Sequence, residues 1–224
     1  MARVIAVSTN KGGVLKTSIS VNLAGVLSKE GKRILIIDTD NQGNVLLSFG
    51  RNPDDLDRSI YNVLVEGLSA KEAIIKDVYK NIDVLPSNDD MTFFEFDVLT
   101  KIKQYPEPFS MLKNKLREVE SLYDYIIIDT PPNLGLTQGN VLTTADEILI
   151  PFQPENYSMR SLVKILSAIN SFKNDHNPSL RVLGVVATLV DLRTILHSEV
   201  IQECRRYCYE NNVKMLETVI PRAI

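Results

Sequence analysis

The chain has 224 residues, 44% of them hydrophobic and 24% charged, which is typical of a folded globular protein and excludes disordered, collagen-like and coiled-coil chains. The 25 basic and 28 acidic residues give a formal net charge of −3, and no polybasic tail is present. A chain of this length can form one α/β domain whose core needs no disulfide or metal to support it.

Charge is distributed unevenly along the chain. Residues 157–224 contain nine basic and six acidic side chains, whereas residues 1–156 contain 16 basic and 22 acidic ones. This C-terminal basic excess is a weak indication of an anionic partner. Two cysteines cannot form a disulfide framework, and no apolar run reaches the ~18 residues of a membrane span or resembles a signal peptide. The sequence therefore predicts a soluble, cytoplasmic protein.

Short apolar runs alternate with longer segments of helical periodicity. The predicted strands cover residues 3–8, 33–38, 82–85, 125–129, 147–151, 181–189 and 214–219. The predicted helices cover residues 17–29, 110–121, 158–172 and 197–211, and helices are also expected to dominate residues 50–100. Several strands are continuously apolar, which is typical of a parallel sheet covered on both faces. We therefore expect one domain over residues 1–224, a three-layer α/β/α sandwich with a mostly parallel twisted sheet.

The loop after the first strand has the parts of a phosphate-binding turn. Such a turn needs backbone N–H groups at a helix N-terminus, a lysine for the β- and γ-phosphates and a hydroxyl for Mg²⁺. Lys16 and Thr17 supply the last two, although Asn10 and Leu15 stand where the usual pattern has glycines. The alternative is a glycine-bearing turn of another Rossmann-like protein. The residues predicted to bind nucleotide are Lys11, Gly12, Gly13, Val14, Leu15, Lys16, Thr17 and Ser18.

Acidic residues follow two further apolar strands. Asp38 and Asp40 come at the end of the second strand, and Asp129 ends the run of residues 125–129. The carboxyl ends of strands in an open α/β sheet form the edge at which ligands bind. Asp129 matches a Walker B acid, which would hold Mg²⁺ through water while Thr17 binds the ion directly. The alternative for Asp38 and Asp40 is that both only cap a helix.

These motifs together resemble one family. The spacing Lys11-Gly-Gly-x-x-Lys16-[Ser/Thr] is similar to the deviant Walker A loop of the ParA/MinD family of P-loop ATPases. The segment from Asp38 resembles the family sequence D-x-D-P-Q-G-N, with Asn41 in place of proline. Segments that resemble ParA partition ATPases also occur at residues 59–64, 85–88, 129–136, 151–155, 189–194 and 218–222, so that the likeness covers nearly the whole chain.

The resemblance implies roles for individual residues. Lys11 would reach across a dimer to the phosphates of the other subunit, and Asp40 would position the attacking water. An aspartate with a pKa of about 3.9 is a weak base at pH 7, so orientation of water is expected rather than full proton abstraction. Lys11, Lys16 and Asp40 are thus the predicted catalytic residues. Pro221 is expected near the adenine, and Glu155 is expected to contact nucleotide across the dimer.

The resemblance also implies a function. We expect a slow, partner-stimulated ATPase of plasmid or chromosome partitioning, with ATP and Mg²⁺ as cofactors and a homodimer in the ATP-bound state. The dimer would bind DNA non-specifically through Arg193 and Arg222, associate with the nucleoid and respond to a ParB-like centromere-binding protein, with no membrane partner. Relatives continue beyond the Pro-Arg segment into a helix, which this chain is expected to lack.

Two other functions fit parts of the pattern. One is a MinD-like positioning ATPase on a membrane surface, which requires a C-terminal amphipathic helix. The other is an ATP-dependent metabolic ligase related to dethiobiotin synthetase. Lys11 distinguishes the ligase, because a ligase has no need of a lysine directed at a neighbour's phosphates.

Cysteine and aromatic side chains in two predicted helices are interpreted as core residues. Cys204 and Cys208 lack the further ligands of a zinc site, and they do not suggest the iron–sulfur members of the superfamily. Phe93, Phe94 and Phe96 are likewise expected to pack in the interior.

Overall fold

A computed structural model describes residues 1–191 and 193–222. The strands are β1 (Arg3–Val7), β2 (Ile34–Asp38), β3 (Ile75–Tyr79), β4 (Ile82–Leu85), β5 (Tyr125–Asp129), β6 (Glu147–Phe152), β7 (Arg181–Val190) and β8 (Met215–Pro221). The α-helices are α1 (Lys16–Lys29), α2 (Asn44–Ser48), α3 (Ile60–Val65), α4 (Ala70–Ala73), α5 (Phe94–Thr100), α6 (Met111–Leu116), α7 (Leu136–Thr144), α8 (Ser158–Asp175) and α9 (Ile195–Glu210).

All eight strands form one sheet, in the order β3-β4-β2-β5-β1-β6-β7-β8. Every neighbouring pair is parallel except β3 and β4. Alternate residues of β2 enter different cores, because Leu35 and Ile37 pack on one face and Ile34 and Ile36 on the other. This two-sided burial explains the continuously apolar strands, and it confirms the predicted α/β architecture.

The order of strands fixes where the polar strand ends meet. β5 lies between β1 and β2, with Asp129 opposite both Val7 and Asp38. The carboxyl ends of these central strands therefore share one edge with the loop that begins after β1.

Residues 50–100 differ in part from the prediction. Short helices are present there, but β3 is a strand that the sequence analysis does not include. Charged residues interrupt its apolar pattern, and Asp77 has a positive φ of 51° within it. Asn81, with a φ of 57°, turns the chain back into β4. The edge position of β3 explains its weak sequence signal, since only one neighbour constrains it.

Two further expectations change in detail, and a third is confirmed. The helix predicted over residues 110–121 is shorter, because α6 ends at Leu116 and a 3₁₀ turn covers Glu120–Leu122. Of the three phenylalanines predicted to be core, only Phe94 is buried, whereas Phe93 and Phe96 are 58% and 67% exposed. Neighbouring side chains on a short helix point in different directions, so the three phenylalanines cannot all pack into the same core. Cys204 and Cys208 are fully buried, as expected.

Candidate nucleotide-binding site

The loop between β1 and α1 surrounds a cavity of about 550 Å³. Gly13 has a φ of +72°, a left-handed conformation that glycine adopts without steric cost. Leu15, the residue before α1, has a similar φ of 68°. These two bends turn the loop around the N-terminus of the helix. The lining residues are Gly12, Gly13, Val14, Leu15, Lys16, Thr17, Ser18, Asp40, Asn44, Leu47, Ser48 and Pro132.

Lys16 holds a nearly buried positive charge in this cavity. Its ammonium donates one hydrogen bond, of 3.0 Å, to the carbonyl of Lys11, and its side chain is among the buried charged groups. Burial lowers the pKa of Lys16, and the charges of Asp129 and Asp40 oppose that effect. A buried ammonium with few neutralising contacts is well suited to an anionic ligand.

Asp129 at the end of β5 is fully buried and receives two hydroxyl hydrogen bonds from α1. Thr17 Oγ1 donates to Oδ2 at 2.6 Å, and Ser20 Oγ donates to Oδ1 at 2.9 Å. Burial raises the pKa of Asp129 to about 6, with a further contribution from Asp40, against the lowering effects of the two hydroxyls and Lys16. The sequence motifs pair Asp129 with Thr17 but give no role to Ser20. Its position three residues after Thr17, on the same helix face, is the signal that could have indicated it.

Asp38 and Asp40 have different surroundings, although they are two residues apart. Asp38 is buried and accepts hydrogen bonds from the backbone N–H groups of Asp40 and Val45, so it fixes the loop leading into α2. Burial, together with the neighbouring carboxylate of Asp129, raises the pKa of Asp38 well above its ordinary value. Asp40 is only partly buried and lines the cavity. The capping alternative therefore describes Asp38, whereas Asp40 faces the ligand space.

Lys11 turns away from the cavity that the rest of the loop surrounds. Its ammonium lies 2.7 Å from Oε2 of Glu155 and donates a 3.2 Å hydrogen bond to Ser158 Oγ, at the start of α8. Only its backbone carbonyl contacts Lys16. The family resemblance connects Glu155 with nucleotide, and it does not indicate Glu155 or Ser158 as a partner of Lys11. These contacts join positions more than 140 residues apart, and no local pattern indicates them.

Comparison with known proteins agrees with this geometry. The family model described as an AAA domain matches residues 2–182. The chain is 36% identical over 224 residues to the sporulation initiation inhibitor protein Soj of Bacillus subtilis (strain 168), a match that covers 100% of this chain and 86% of that protein. It is 34% identical to the chromosome partitioning protein ParA of Myxococcus xanthus (strain DK1622), covering 100% of this chain and 77% of the other. This protein belongs to the ParA/Soj family of ATPases.

A solved structure extends the likeness to the fold. The cobyrinic acid a,c-diamide synthase of Mycobacterium smegmatis, crystallised with a bound ATP analogue and magnesium, superposes with a TM-score of 0.90. The sequence identity is 32%, and the match covers 100% of this chain and 88% of the synthase. ATP and Mg²⁺ are accordingly the cofactors of this ParA/Soj family member. Among residues 1–191 and 193–222, no helix is long and apolar enough to span a membrane.

The residues around the cavity fit these cofactors. Lys16, with its buried ammonium, and the next two residues at the N-terminus of α1 line the same space. A helix N-terminus favours anions, so this end of the cavity suits a polyphosphate. The oxygen atoms of Thr17 and Asp129 are already adjacent, and oxygen is the ligand type that Mg²⁺ prefers. The donor set on this chain therefore agrees with the cofactors of the family.

The remaining predicted site residues lie elsewhere on the sheet. Pro221 ends β8, three strands away from β1, and is not among the residues that line the cavity. The backbone N–H of Arg222 donates to the carbonyl of Val190 at 3.0 Å. Arg222 therefore lies beside the end of β7, the strand that Arg193 follows by three residues. Both arginines are exposed, and Arg193 forms two hydrogen bonds to the carboxylate of Asp191, of 2.9 and 2.7 Å.

Two other basic residues of this region, Arg205 and Lys214, lie at other points, within α9 and just before β8. Arg205 lies in the last three turns of α9 and pairs with Glu217 at 3.0 Å. Lys214 precedes β8, at the opposite edge of the sheet from Arg222. A helix advances 1.5 Å per residue, so Arg205, far along α9, is well separated from Arg193, which lies just before the helix begins.

Proposed function

We propose that this ParA/Soj family member partitions a plasmid or chromosome, as an ATPase that forms a Mg-ATP-dependent sandwich dimer. The dimer would bind DNA without sequence preference, and a ParB-like centromere-binding protein would stimulate its slow hydrolysis. The proposal rests on the different positions of the two lysines of the loop. Lys16 lies in the cavity, whereas the Lys11 ammonium is directed out of it.

Different residues around the cavity would bind the phosphates, hold Mg²⁺ and orient the attacking water. Lys16 and the N–H groups of the loop would hold the phosphates, and Thr17 with Asp129 would hold Mg²⁺. When bound, the ion would neutralise part of the negative charge of the phosphates. Asp40, which lines the cavity without being fully buried, would orient water. Asp38 would keep Asp40 in place through its hydrogen bond to the Asp40 N–H.

Lys11 is the residue that favours a dimer. Its ammonium contacts Glu155 and Ser158 rather than the cavity, so it contributes no charge to the phosphate space of its own subunit. A lysine at this point of the loop becomes useful once a second protomer presents its phosphates. In that arrangement Glu155 would also lie near the nucleotide of the other subunit, and Pro221 would contact the adenine.

DNA binding is proposed for the surface that holds Arg193 and Arg222. Both are exposed and lie at the carboxyl edge of the sheet, the edge that also carries the nucleotide cavity. Pairing two protomers at this edge would double the number of phosphate contacts, so ATP would switch on binding by assembling two weak surfaces. Residues 1–224 would act as one ATPase domain, cytoplasmic and associated with the nucleoid.

Sedimentation velocity combined with DNA binding tests the proposal. With ATP and Mg²⁺, the wild-type protein should dimerise and shift random duplex DNA. Lys11→Ala should bind ATP but remain monomeric, whereas Asp40→Ala should accumulate as an ATP-bound dimer that hydrolyses ATP poorly. Normal ATP-dependent dimerisation of Lys11→Ala would reject the role of Lys11 across the dimer. Equal DNA binding with and without ATP would reject the switch.

A metabolic ligase is the second candidate, because the Mycobacterium smegmatis structure that superposes with a TM-score of 0.90 is described as a cobyrinic acid a,c-diamide synthase. A ligase would use the same cavity for ATP but would not depend on a second protomer. Full ATP turnover by monomeric Lys11→Ala in the presence of a small acid and an amine donor would favour the ligase. Loss of turnover together with loss of the dimer would favour partitioning.

A further inference from the structure

The carboxylate of Asp129 is held in place differently from the carboxylate beside it. Asp38, directly opposite Asp129 in the sheet, accepts hydrogen bonds from the backbone N–H groups of Asp40 and Val45. Asp129 is also fully buried, but among the described residues both donors to its carboxylate are side-chain hydroxyls of α1. The orientation of Asp129 therefore depends on two side chains, whereas the backbone fixes that of Asp38.

The two hydroxyls bind different oxygens of Asp129. Thr17 Oγ1 donates to Oδ2 at 2.6 Å, and Ser20 Oγ donates to Oδ1 at 2.9 Å. The two donors are three residues apart, so they lie next to each other on one face of α1. Rotation about the last side-chain bond of an aspartate is only weakly restricted, because that torsion has broad minima. One hydrogen bond at each oxygen therefore holds the carboxylate in a single orientation.

Ser20 can affect a bound ligand only indirectly. Thr17 lines the nucleotide cavity, whereas Ser20 is 0% exposed and is not among the lining residues. The Ser20 hydroxyl also lies 3.1 Å from the carbonyl of Lys16, in the preceding turn of α1. A hydroxyl has one hydrogen to donate, and the charged carboxylate, at the shorter distance, is the stronger acceptor. The Ser20 hydrogen is therefore directed to Asp129.

Helix propensity does not explain a serine at this position. The buried residues of α1 are Lys16, Ser20, Ala24 and Ser28, four positions apart on one face of the helix. Serine forms helices less readily than alanine, because its hydroxyl competes for backbone hydrogen bonds. An alanine such as Ala24 would satisfy the packing of this face. The contact with Asp129 is the interaction that only a hydroxyl at position 20 provides.

We propose that Ser20 is a positioning residue for the magnesium site, which holds Oδ1 of Asp129 so that Oδ2 stays beside the Thr17 hydroxyl. This role rests on the proposed function, in which Thr17 and Asp129 hold the ion. Hydrogen-bond partners of metal ligands fix the orientation of those ligands, and their loss typically lowers metal affinity by about 10- to 100-fold. Loss of the Ser20 hydroxyl would also leave Oδ1 buried without a donor.

Nucleotide binding at different Mg²⁺ concentrations tests the role of Ser20. The probe is a non-hydrolysable ATP analogue, whose affinity is measured by calorimetry in EDTA and along a Mg²⁺ titration. Ser20→Ala should keep the wild-type affinity in EDTA, because Lys16 and the loop hold the phosphates. The Mg²⁺ concentration that gives half of the magnesium-dependent gain in affinity should rise about tenfold. Asp129→Asn should abolish most of that gain and so marks a complete loss of the site.

Ser28→Ala is the matched control, because it removes a second buried hydroxyl from the same face of α1. Ser28 Oγ donates to the backbone carbonyl of Lys80 rather than to a carboxylate, so the Mg²⁺ requirement should stay at the wild-type value. Ser20→Thr restores a hydroxyl and should lower the requirement again. If Ser20→Ala does not fold, Ser20→Cys fills nearly the same space with only a weak donor and should show the same rise.

Three results would contradict the role of Ser20, and they have different consequences. An unchanged Mg²⁺ requirement in Ser20→Ala, or an equal rise in Ser28→Ala, would reject the positioning role and leave the proposed function intact. A loss of affinity that is as large in EDTA as in Mg²⁺ would show that Ser20 acts on the phosphate-binding loop instead. If Mg²⁺ changes the affinity of neither the wild type nor Asp129→Asn, the magnesium site of the proposed function is rejected together with the role of Ser20.

Discussion

The ammonium of Lys11 lies 2.7 Å from the carboxylate of Glu155, a residue 144 positions later in the chain. The Glu155 side chain is 48% exposed, and exposed ion pairs of this kind contribute less than about 1 kcal/mol. The contact therefore orients Lys11 within its own subunit but can be broken at little cost. A dimer that uses Lys11 must compete with this contact.

Weakening the contact should favour the ATP-bound dimer. Glu155→Gln removes the charge and keeps the shape, so the protein concentration needed for ATP-dependent dimerisation should fall about threefold, within the ~1 kcal/mol of an exposed pair. Glu72→Gln breaks the exposed Arg58–Glu72 pair, which spans 3.6 Å, and serves as the control in sedimentation velocity. If both variants dimerise like the wild type, Glu155 does not restrain Lys11. If Glu155→Gln dimerises less readily, Glu155 contributes to the dimer instead.

Lys16 should be indispensable for ATP binding. Lys16→Ala removes the buried ammonium from the cavity, and charge-assisted contacts to phosphate of about 3 kcal/mol correspond to a loss of at least 100-fold in affinity by calorimetry. The folded state without nucleotide should not lose stability, because the ammonium is buried with a single 3.0 Å hydrogen bond. Lys29→Ala, at the exposed end of α1, is the control and should bind ATP normally. Retained affinity in Lys16→Ala would place the phosphates elsewhere.

Leu15 should reduce the affinity of the cavity for ATP. Its backbone is left-handed, with a φ of 68°, and its aliphatic side chain lines the space expected to hold phosphate. Leu15→Gly removes this apolar volume, so ATP should bind up to about tenfold more tightly. It also relieves a backbone strain of about 1 kcal/mol, but that strain is present with and without ATP and therefore affects the stability of the fold rather than the affinity. Leu15→Ala keeps the strain and removes most of the volume, so it should bind ATP almost as tightly as Leu15→Gly. Weaker ATP binding by both variants would mean that Leu15 contacts the nucleotide favourably.

The predictable parts of this molecule are those that depend on short-range chemistry. The turn at residues 10–18, the apolar strands and the acids that end them follow from glycine geometry, periodicity and the rule that ligands bind at carboxyl strand ends. Asp40 and Thr17 could be placed at the carboxyl edge of the sheet, because each follows the end of a predicted strand. Leu15 could be identified as unusual, although its left-handed conformation is visible only in the structure.

Contacts between distant segments could not be predicted in this way. The pairing of Lys11 with Glu155 and Ser158 depends on β6 lying beside β1, which the sequence does not specify. The strand β3 was missed because its charged, single-sided edge position gives no apolar run. The exposure of Phe96 was missed because composition alone does not reveal which face of a short helix has a neighbour.

A polar cluster of Lys76, Asp83 and Tyr123, exposed at the lysine, should make stability depend on pH. Lys76 Nζ lies 2.8 Å from Asp83 Oδ2, and the Tyr123 hydroxyl donates to the same oxygen at 2.6 Å. Burial raises the pKa of Asp83, but hydrogen bonds from Lys76 and Tyr123 outweigh it, so the net shift is downward.

A carboxylate with a lowered folded-state pKa stabilises the protein above its unfolded pKa, about 3.9, and this contribution is lost as the pH falls through the folded value. Asp83→Asn should therefore lower the free energy of unfolding by about 1 kcal/mol at pH 7 and by less below pH 4, measured with urea. Asp54→Asn, at an exposed position in the 3₁₀ turn Pro53–Asp55, should behave like the wild type at both pH values. A loss that is the same at pH 3 and pH 7 would show that packing, not charge, is responsible.

Arg193 and Asp191 should have opposite effects on DNA binding. The carboxylate of Asp191 lies 2.7 Å from the Arg193 guanidinium, and the hydrogen bonds from Arg193 hold the pKa of Asp191 well below its ordinary value. Asp191 therefore stays ionised at neutral pH and offsets part of the positive charge that a DNA phosphate would meet. Removing Arg193 should weaken binding, whereas removing the charge of Asp191 should strengthen it.

The salt dependence of binding gives the quantitative test. For non-specific binding, the slope of log K against log salt concentration becomes less steep by about 0.9 for each phosphate contact that is removed. In an ATP-bound dimer, Arg193→Ala combined with Arg222→Ala should flatten the slope by about 3 to 4, equally for unrelated duplex sequences. Asp191→Asn should bind more tightly than the wild type at every salt concentration, and Arg206→Ala, remote from this edge on α9, should change neither quantity. An unchanged slope in the double variant, or weaker binding by Asp191→Asn, would show that DNA contacts another surface.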